Sequence, residues 1–221
     1  RSQFLATRYF TWLLKMKVSD YIANFLYAQG VNHVFELVGG MITHLVDSIG
    51  QAGNIKIISV HHEQAGAFAA EACARMTGVP GVALATSGPG ATNLLTGIGS
   101  CYFDSVPVVF ITGQVNRSEQ KENRLIRQLG FQETDIVSMV QPITKAAWLV
   151  REPERIPDLL ADAFMLALSG RPGPVLLDIP MDVQRADIVV DAPTRVSPQP
   201  ARKPDPNIIE RLFSDLQQAQ R

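Results

Sequence analysis

Long apolar runs, cysteine and net charge are what this sequence has least of, and each scarcity removes a class of function. No uninterrupted apolar stretch approaches the roughly 18 residues that a membrane-spanning helix needs. The two cysteines, Cys73 and Cys101, are too few for a disulfide framework and show no metal-ligand spacing. Both fall in helical patterns, where buried free thiols are expected, and their small number suits a reducing cytoplasm. The 20 basic and 21 acidic residues leave a formal charge of -1. That field is too weak to argue for nucleic acid or an anionic membrane as partner. What is present is ordinary for a globular protein: 46% hydrophobic and 19% charged residues over 221 positions. Such a chain builds one large domain, with room for part of another.

Residues 1–15 (RSQFLATRYFTWLLK) mix basic and aromatic side chains without an apolar signal region or a small-residue cleavage site. Regular patterning starts only after Met16. Residues 1–17 are therefore expected to be an upstream extension or an added leader, with an amphipathic targeting or partner-binding segment as the alternative.

From Val18 onward, helical and strand-like segments alternate. Ser19 is placed to cap a helix with apolar positions Tyr21, Ile22, Phe25 and Leu26, and Gly30 suits its left-handed end. His33–Val38 reads as a first strand, broken by Gly39-Gly40, before a helical stripe at Ile42, Leu45, Val46 and Ile49. Ile55–Val60 is a second strand and Glu63–Met76 a helix of small residues. Val82–Thr86 is a third strand, whose Ser87–Gly90 turn leads into a helix reaching about Phe103. Val106–Thr112 is the fourth strand, and the long polar segment 113–134 has the length of a functional or disordered loop. A short helix over Asp135–Met139, a fifth strand over Ile143–Val150, a helix opening near Pro153 and a sixth strand over Val175–Ile179 complete the series. Continuous apolar strands separated by helices indicate a parallel sheet buried on both faces. Residues 191–206 hold five prolines and read as a linker. Asp205 then caps a last amphipathic helix, expected to open a further domain at 207–221.

In an open parallel sheet, ligands bind beyond the carboxyl ends of the strands. The turns at 38–40, 61–63, 87–90 and 113–114 could therefore line one crevice. Taken singly, each has a plainer explanation. Glu63 at a helix start is stabilised by the helix dipole whether or not it does chemistry. His61 and His62 are neighbours whose side chains diverge, with no third ligand at a useful spacing, so no metal is expected there. Ser87-Gly88-Pro89-Gly90 resembles a phosphate cradle, but it is neither of the common nucleotide fingerprints and Pro89 lacks a donor. Arg171-Pro172-Gly173-Pro174 reads as a rigid connection, and Asp104 and Asp178 as caps or loop anchors.

The motifs taken in order say more. They are Val38-Gly39-Gly40, His62-Glu63-Gln64, Thr86-Ser87-Gly88-Pro89-Gly90-Ala91-Thr92-Asn93, Asp104-Ser105-Val106-Pro107, Thr112-Gly113-Gln114-Val115, Phe131-Gln132-Glu133-Thr134-Asp135 and Gly170-Arg171-Pro172-Gly173-Pro174-Val175. Over 18–190 the series resembles the N-terminal, pyrimidine-binding domain of acetolactate synthases and relatives such as glyoxylate carboligase and benzoylformate decarboxylase. The resemblance implies a three-layer α/β/α sandwich with a six-stranded, mainly parallel sheet, the thiamine diphosphate-binding fold. It matches Glu63 to the glutamate that hydrogen-bonds N1′ of the cofactor and favours the imino tautomer that deprotonates the thiazolium. Val38, Gly39, Pro89 and Asn93 match the walls of the pyrimidine pocket. Gln132 is the second candidate catalytic residue, with Gly40, Phe131 and Gln114 beside it on the substrate side. The family often has proline where Val38 stands, and a small residue where Met41 stands.

The same resemblance implies a second domain, because the acidic G-D-G motif that holds Mg²⁺ and the diphosphate does not occur in this chain. Thiamine diphosphate would be shared with that domain, and the resemblance leaves open whether FAD is also carried. Alone, the chain is expected to be inactive. The substrate implied is a 2-keto acid such as pyruvate, and the partner a second copy, in a homodimer or tetramer. The alternatives are a non-catalytic α/β module binding a nucleotide or phosphate, and a regulatory paralogue that has lost the chemistry.

Overall fold

The stretches 81–85, 108–114 and 175–180 are buried at every position. A strand with no solvated face must be covered on both sides, which dictates helices above and below the sheet. In the computed structural model, which describes residues 13–197 and 204–220, the chain builds that arrangement. It opens with β1 (Leu14–Lys17), α1 (Val18–Ala28), β2 (His33–Leu37), α2 (Thr43–Ala52) and β3 (Lys56–Ser59). There follow α3 (Glu63–Thr77), β4 (Gly81–Ala85), α4 (Pro89–Asn93), α5 (Leu95–Asp104) and β5 (Val108–Gln114). After a long connection come α6 (Ile136–Val140), β6 (Ala146–Leu149), α7 (Ile156–Leu168), β7 (Val175–Pro180), α8 (Met181–Gln184), β8 (Asp187–Val190) and α9 (Pro206–Gln218).

Six strands form one sheet in the order β3-β2-β4-β5-β7-β6, and all five pairings are parallel. The expected three-layer, six-stranded architecture is therefore the one observed. Val82, Leu84, Val109, Ile111, Val175 and Leu177 face the core shared with α1, α2 and α7. Ala83, Ala85, Val108, Phe110 and Leu176 face the core shared with α3, α5 and α6. On this second side the contact is close. A Cβ on Gly81 would sink into the carbonyl of Ala70, and one on Gly97 into the side chain of Ala67. The alanine-rich composition of α3 is what lets it lie so near the sheet and α5.

Four local expectations change. Regular structure begins at Leu14, where β1 pairs antiparallel with β8 in a two-stranded sheet; residues 1–12 lie outside the described part. Ser19 does not cap α1: β1 runs directly into the helix, extended Lys17 takes the N-cap position, and buried Ser19 accepts the Ser48 hydroxyl at 2.8 Å. The helix after the Gly90 turn is two helices, because the ladder tightens at Leu94, whose N–H bonds back only three residues to Ala91. Cys101 is buried as expected but Cys73 is only half-buried, packed at the margin of the core that α3 shares with the sheet. Asp205 caps α9 as read from the sequence, accepting from the Asn207 N–H.

The linker begins by lying on the domain. The Gln29 side chain donates to Thr194 O at 2.9 Å and accepts from Val196 N–H at 2.8 Å, so one buried amide pairs with the passing backbone as a strand would.

Candidate active site

Glu63 is the first residue of α3. The helix starts there because His62 is extended and its Nδ1 accepts the Gln64 N–H at 3.2 Å. This settles the role of His62 as a cap, and His61 beside it is exposed. A carboxylate in a first turn gains from the helix dipole, but Glu63 is also only 6% exposed. Burying a carboxylate is costly unless it is paired or hydrogen-bonded. Asn93, at the end of α4, supplies part of the compensation by donating Nδ2 to Glu63 Oε2 at 2.9 Å. Among the described residues no donor reaches Oε1.

The ground around Oε1 is kept bare. A Cβ on Gly90 would lie 3.1 Å from Oε1 and 2.8 Å from the methyl of Thr86. A Cβ on Gly39 would lie 2.5 Å from Cβ of Thr86. Gly39 follows β2, Glu63 follows β3 and Gly90 follows β4, so the carboxyl ends of three neighbouring strands converge where the parallel-sheet rule places a ligand. The residues present suit an aminopyrimidine ring: two glycine turns packed on Thr86 beside a carboxylate with one oxygen unengaged, left for a ring nitrogen. Pro89 and Val38 are exposed on the rim, Val38 by 61%. Gly40 is exposed with open space beside it.

Gln132 reaches this region through the backbone. Its φ is +60°, an uncommon left-handed conformation for a non-glycine residue. A Cβ on Gly88, itself at φ +67°, would lie 2.7 Å from Gln132 Cβ. The glycines of the 87–90 turn are thus used for close approach to the 131–132 segment and to Thr86. Phe131 is 74% exposed beside Gln132.

Gln114 belongs to a second network. Its Nε2 donates to Asp178 Oδ2 at 2.9 Å and to Thr134 O at 2.7 Å, while Oε1 accepts the Val115 N–H. Thr112 donates to Asp178 Oδ1 at 2.7 Å. Burial pushes the Asp178 carboxyl up to about 7, against those two hydrogen bonds. Asp178 is therefore the anchor expected of it, tying β5 and β7 to the segment that carries Phe131 and Gln132. The structure joins Glu63, Asn93, Gly39 and the Gly88–Gly90 turn at one crevice, with Gln132 packed on that turn, and engages Gln114 apart from them. Two features were not read from the sequence: the grip of Asn93 on Glu63, and Thr86 as the contact between the 39–41 and 88–90 turns.

Residues 16–139 match the family described as "Thiamine pyrophosphate enzyme, N-terminal TPP binding domain". The chain belongs to this family. Its relatives include acetolactate synthases. The acetolactate synthase of Arthrospira platensis is 52% identical over 162 residues, covering 72% of this chain and 27% of its own length. Acetolactate synthase 2, chloroplastic, of Nicotiana tabacum is 46% identical over 175 residues, 79% of this chain and 26% of the relative. The acetolactate synthase large subunit of Parasynechococcus marenigrum is 45% identical over 200 residues, 87% and 31%. The chain thus spans between a quarter and a third of the length of these relatives. No helix among the described residues is long and apolar enough to cross a membrane.

Proposed function

We propose that this domain forms the pyrimidine half of the active site in a thiamine diphosphate-dependent enzyme that decarboxylates a 2-keto acid such as pyruvate and joins the product to an acceptor. The observation that carries the reading is Glu63: a nearly buried carboxylate, held at one oxygen by Asn93 and bare at the other, at the mouth of a glycine-lined crevice. Bound there, the cofactor would supply the electron sink for carbanion chemistry.

The chain's own residues then have distinct tasks. Glu63 Oε1 holds a proton toward the ring nitrogen, and Asn93 keeps Oε2 from turning away. Gly39 and Gly90 leave room for Thr86, which brings their two turns together beside Glu63. Pro89 and Val38 wall the ring at the rim. Gln132 and Phe131, on the segment held by Gln114 and Asp178, meet the substrate together with Gly40. The diphosphate and its Mg²⁺ are held outside this chain, so the isolated chain has no turnover.

A second copy covers the outward side of α3 and α5. Support comes from Phe68, Met76, Tyr102 and Phe103, which are large apolar residues left exposed on those two helices.

The test is pyruvate consumption by the full-length protein with thiamine diphosphate and Mg²⁺. Replacing one catalytic acid–base group usually costs about 10²–10⁴ in rate, and Glu63→Gln is expected in or above that range with an unchanged unfolding midpoint. Unaltered turnover in Glu63→Gln would sink the role given to this carboxylate.

A further inference from the structure

Thr86, the residue after β4, has no task in the scheme above, yet three parts of the crevice meet on it. Its Oγ1 accepts the Met41 N–H at 3.2 Å. Its Cβ and methyl occupy the space that a side chain on Gly39 would need, at 2.5 and 2.6 Å. The same methyl lies 2.8 Å from where a Cβ on Gly90 would stand, and that position is 3.1 Å from Glu63 Oε1. The residue that Thr86 grips is also held through its next peptide. The Met41 carbonyl accepts Gln184 Nε2 at 2.8 Å and sits where a side chain on Gly113 would go.

The geometry points to Thr86 as a positioning residue for the cofactor crevice. Its hydroxyl is a strut between β4 and the turn after β2, and its methyl is the spacer that sets the gap between Gly39 and Gly90. The width of the opening in front of Glu63 Oε1 then depends on a side chain that need not touch the ring. Threonine is the residue that does both: valine keeps the spacer and removes the acceptor, whereas serine keeps the acceptor and removes the spacer. The assignment rests on the reading of Glu63 as the cofactor's partner.

The two substitutions test it in the full-length protein, with thiamine diphosphate and Mg²⁺ as the probe. In the unloaded protein, Thr86→Val is expected to speed hydrogen–deuterium exchange at the Met41 amide about fivefold to tenfold, the scale of one hydrogen bond. Thr86→Ser is expected to restore that protection. Thr86→Val is also expected to weaken binding of the cofactor by a similar factor while its unfolding midpoint stays within a few degrees of wild type. Unchanged Met41 exchange in Thr86→Val, or equal loosening in Thr86→Ser, overturns the strut. Faster exchange with unchanged cofactor affinity makes the bond merely structural and overturns the positioning role. The exchange arm needs no cofactor, so it stands if Glu63→Gln shows the thiamine reading to be wrong; failure of the exchange arm alone leaves that reading intact.

Discussion

On one face of the sheet, α1, α2 and α7 present Ile22, Phe25, Leu26, Leu45, Ile49 and Phe164; on the other, α3 and α5 present Ala67, Ala70, Ala74, Gly97 and Cys101. The first face is filled by bulk, including an edge-on contact of the Phe25 and Phe164 rings at 5.4 Å. On the second, Ile98 and Phe110 add bulk, but α3 meets the sheet and α5 by bringing backbones together. Only the second starts a helix with a residue of the candidate site. A helix kept at arm's length by large side chains would carry its first turn away from the strand ends, whereas α3 lies close and delivers Glu63 beside Gly39 and Gly90. One face stores most of the apolar burial and the other supplies placement.

The sharpest way to break that contrast is to delete bulk on the first face. Phe164→Ala removes a fully buried ring and is expected to cost about 3–5 kcal/mol of stability in a denaturant titration. Once corrected for the unfolded fraction, cofactor affinity of the full-length protein should be near normal.

On the second face the damaging change is addition. Gly97→Ala drives a methyl into Ala67, one helical turn from Glu63, and should cost about 1–3 kcal/mol. Here cofactor binding is expected to weaken beyond what the stability loss explains, because α3 must move. Equal effects on binding from the two substitutions would dissolve the division of labour.

The Asp178 network at the strand ends gives a smaller, pH-dependent effect. Its carboxyl titrates at about 7 in the folded chain, compared with an ordinary value of 3.8. Between those values the folded state keeps a proton that the unfolded chain has released, so this contribution to stability falls as pH rises. Unfolding at about pH 5 and about pH 8 should show wild type losing on the order of 1 kcal/mol or more relative to Asp178→Asn. The Thr112 hydroxyl can turn to accept from the new amide. Parallel pH profiles for the two proteins would show that Asp178 does not titrate in this window.

The smallest effect is expected at the edge. Lys15 and Asp187 pair at 3.0 Å with side chains 70% and 53% exposed, so Lys15→Ala should cost about 0.5 kcal/mol or less in the same titration.

The sequence exposed the layered architecture because the central strands are mostly apolar runs separated by helical stripes, and that pattern has few alternatives. It singled out Glu63, Gly39 and Asn93 through the order of their motifs, and the fold brings the turns that carry them to the same strand ends. It did not expose β1 and β8, since a four-residue exposed strand such as Leu14–Lys17 carries no burial signal until its partner is known. Nor did it show that β7 inserts between β5 and β6, because strand order depends on how connections pack and not on any strand's own residues. The left-handed backbone of Gln132 was hidden for a related reason: glutamine has no preference for it, and the collision that requires glycine falls on Gly88. Thr86 was invisible because what matters is where two of its atoms point.

The grip of Gln29 on the passing backbone limits how far α9 can lie from the domain. Counted from Val190, the end of β8, fifteen residues precede Asp205, an extended reach of roughly 50 Å. Counted from Val196, where Gln29 lets go, nine remain and the reach falls to roughly 30 Å. The volume within that reach shrinks to about a fifth. A single buried amide thereby acts as a leash, shortening the span of chain between the domain and α9.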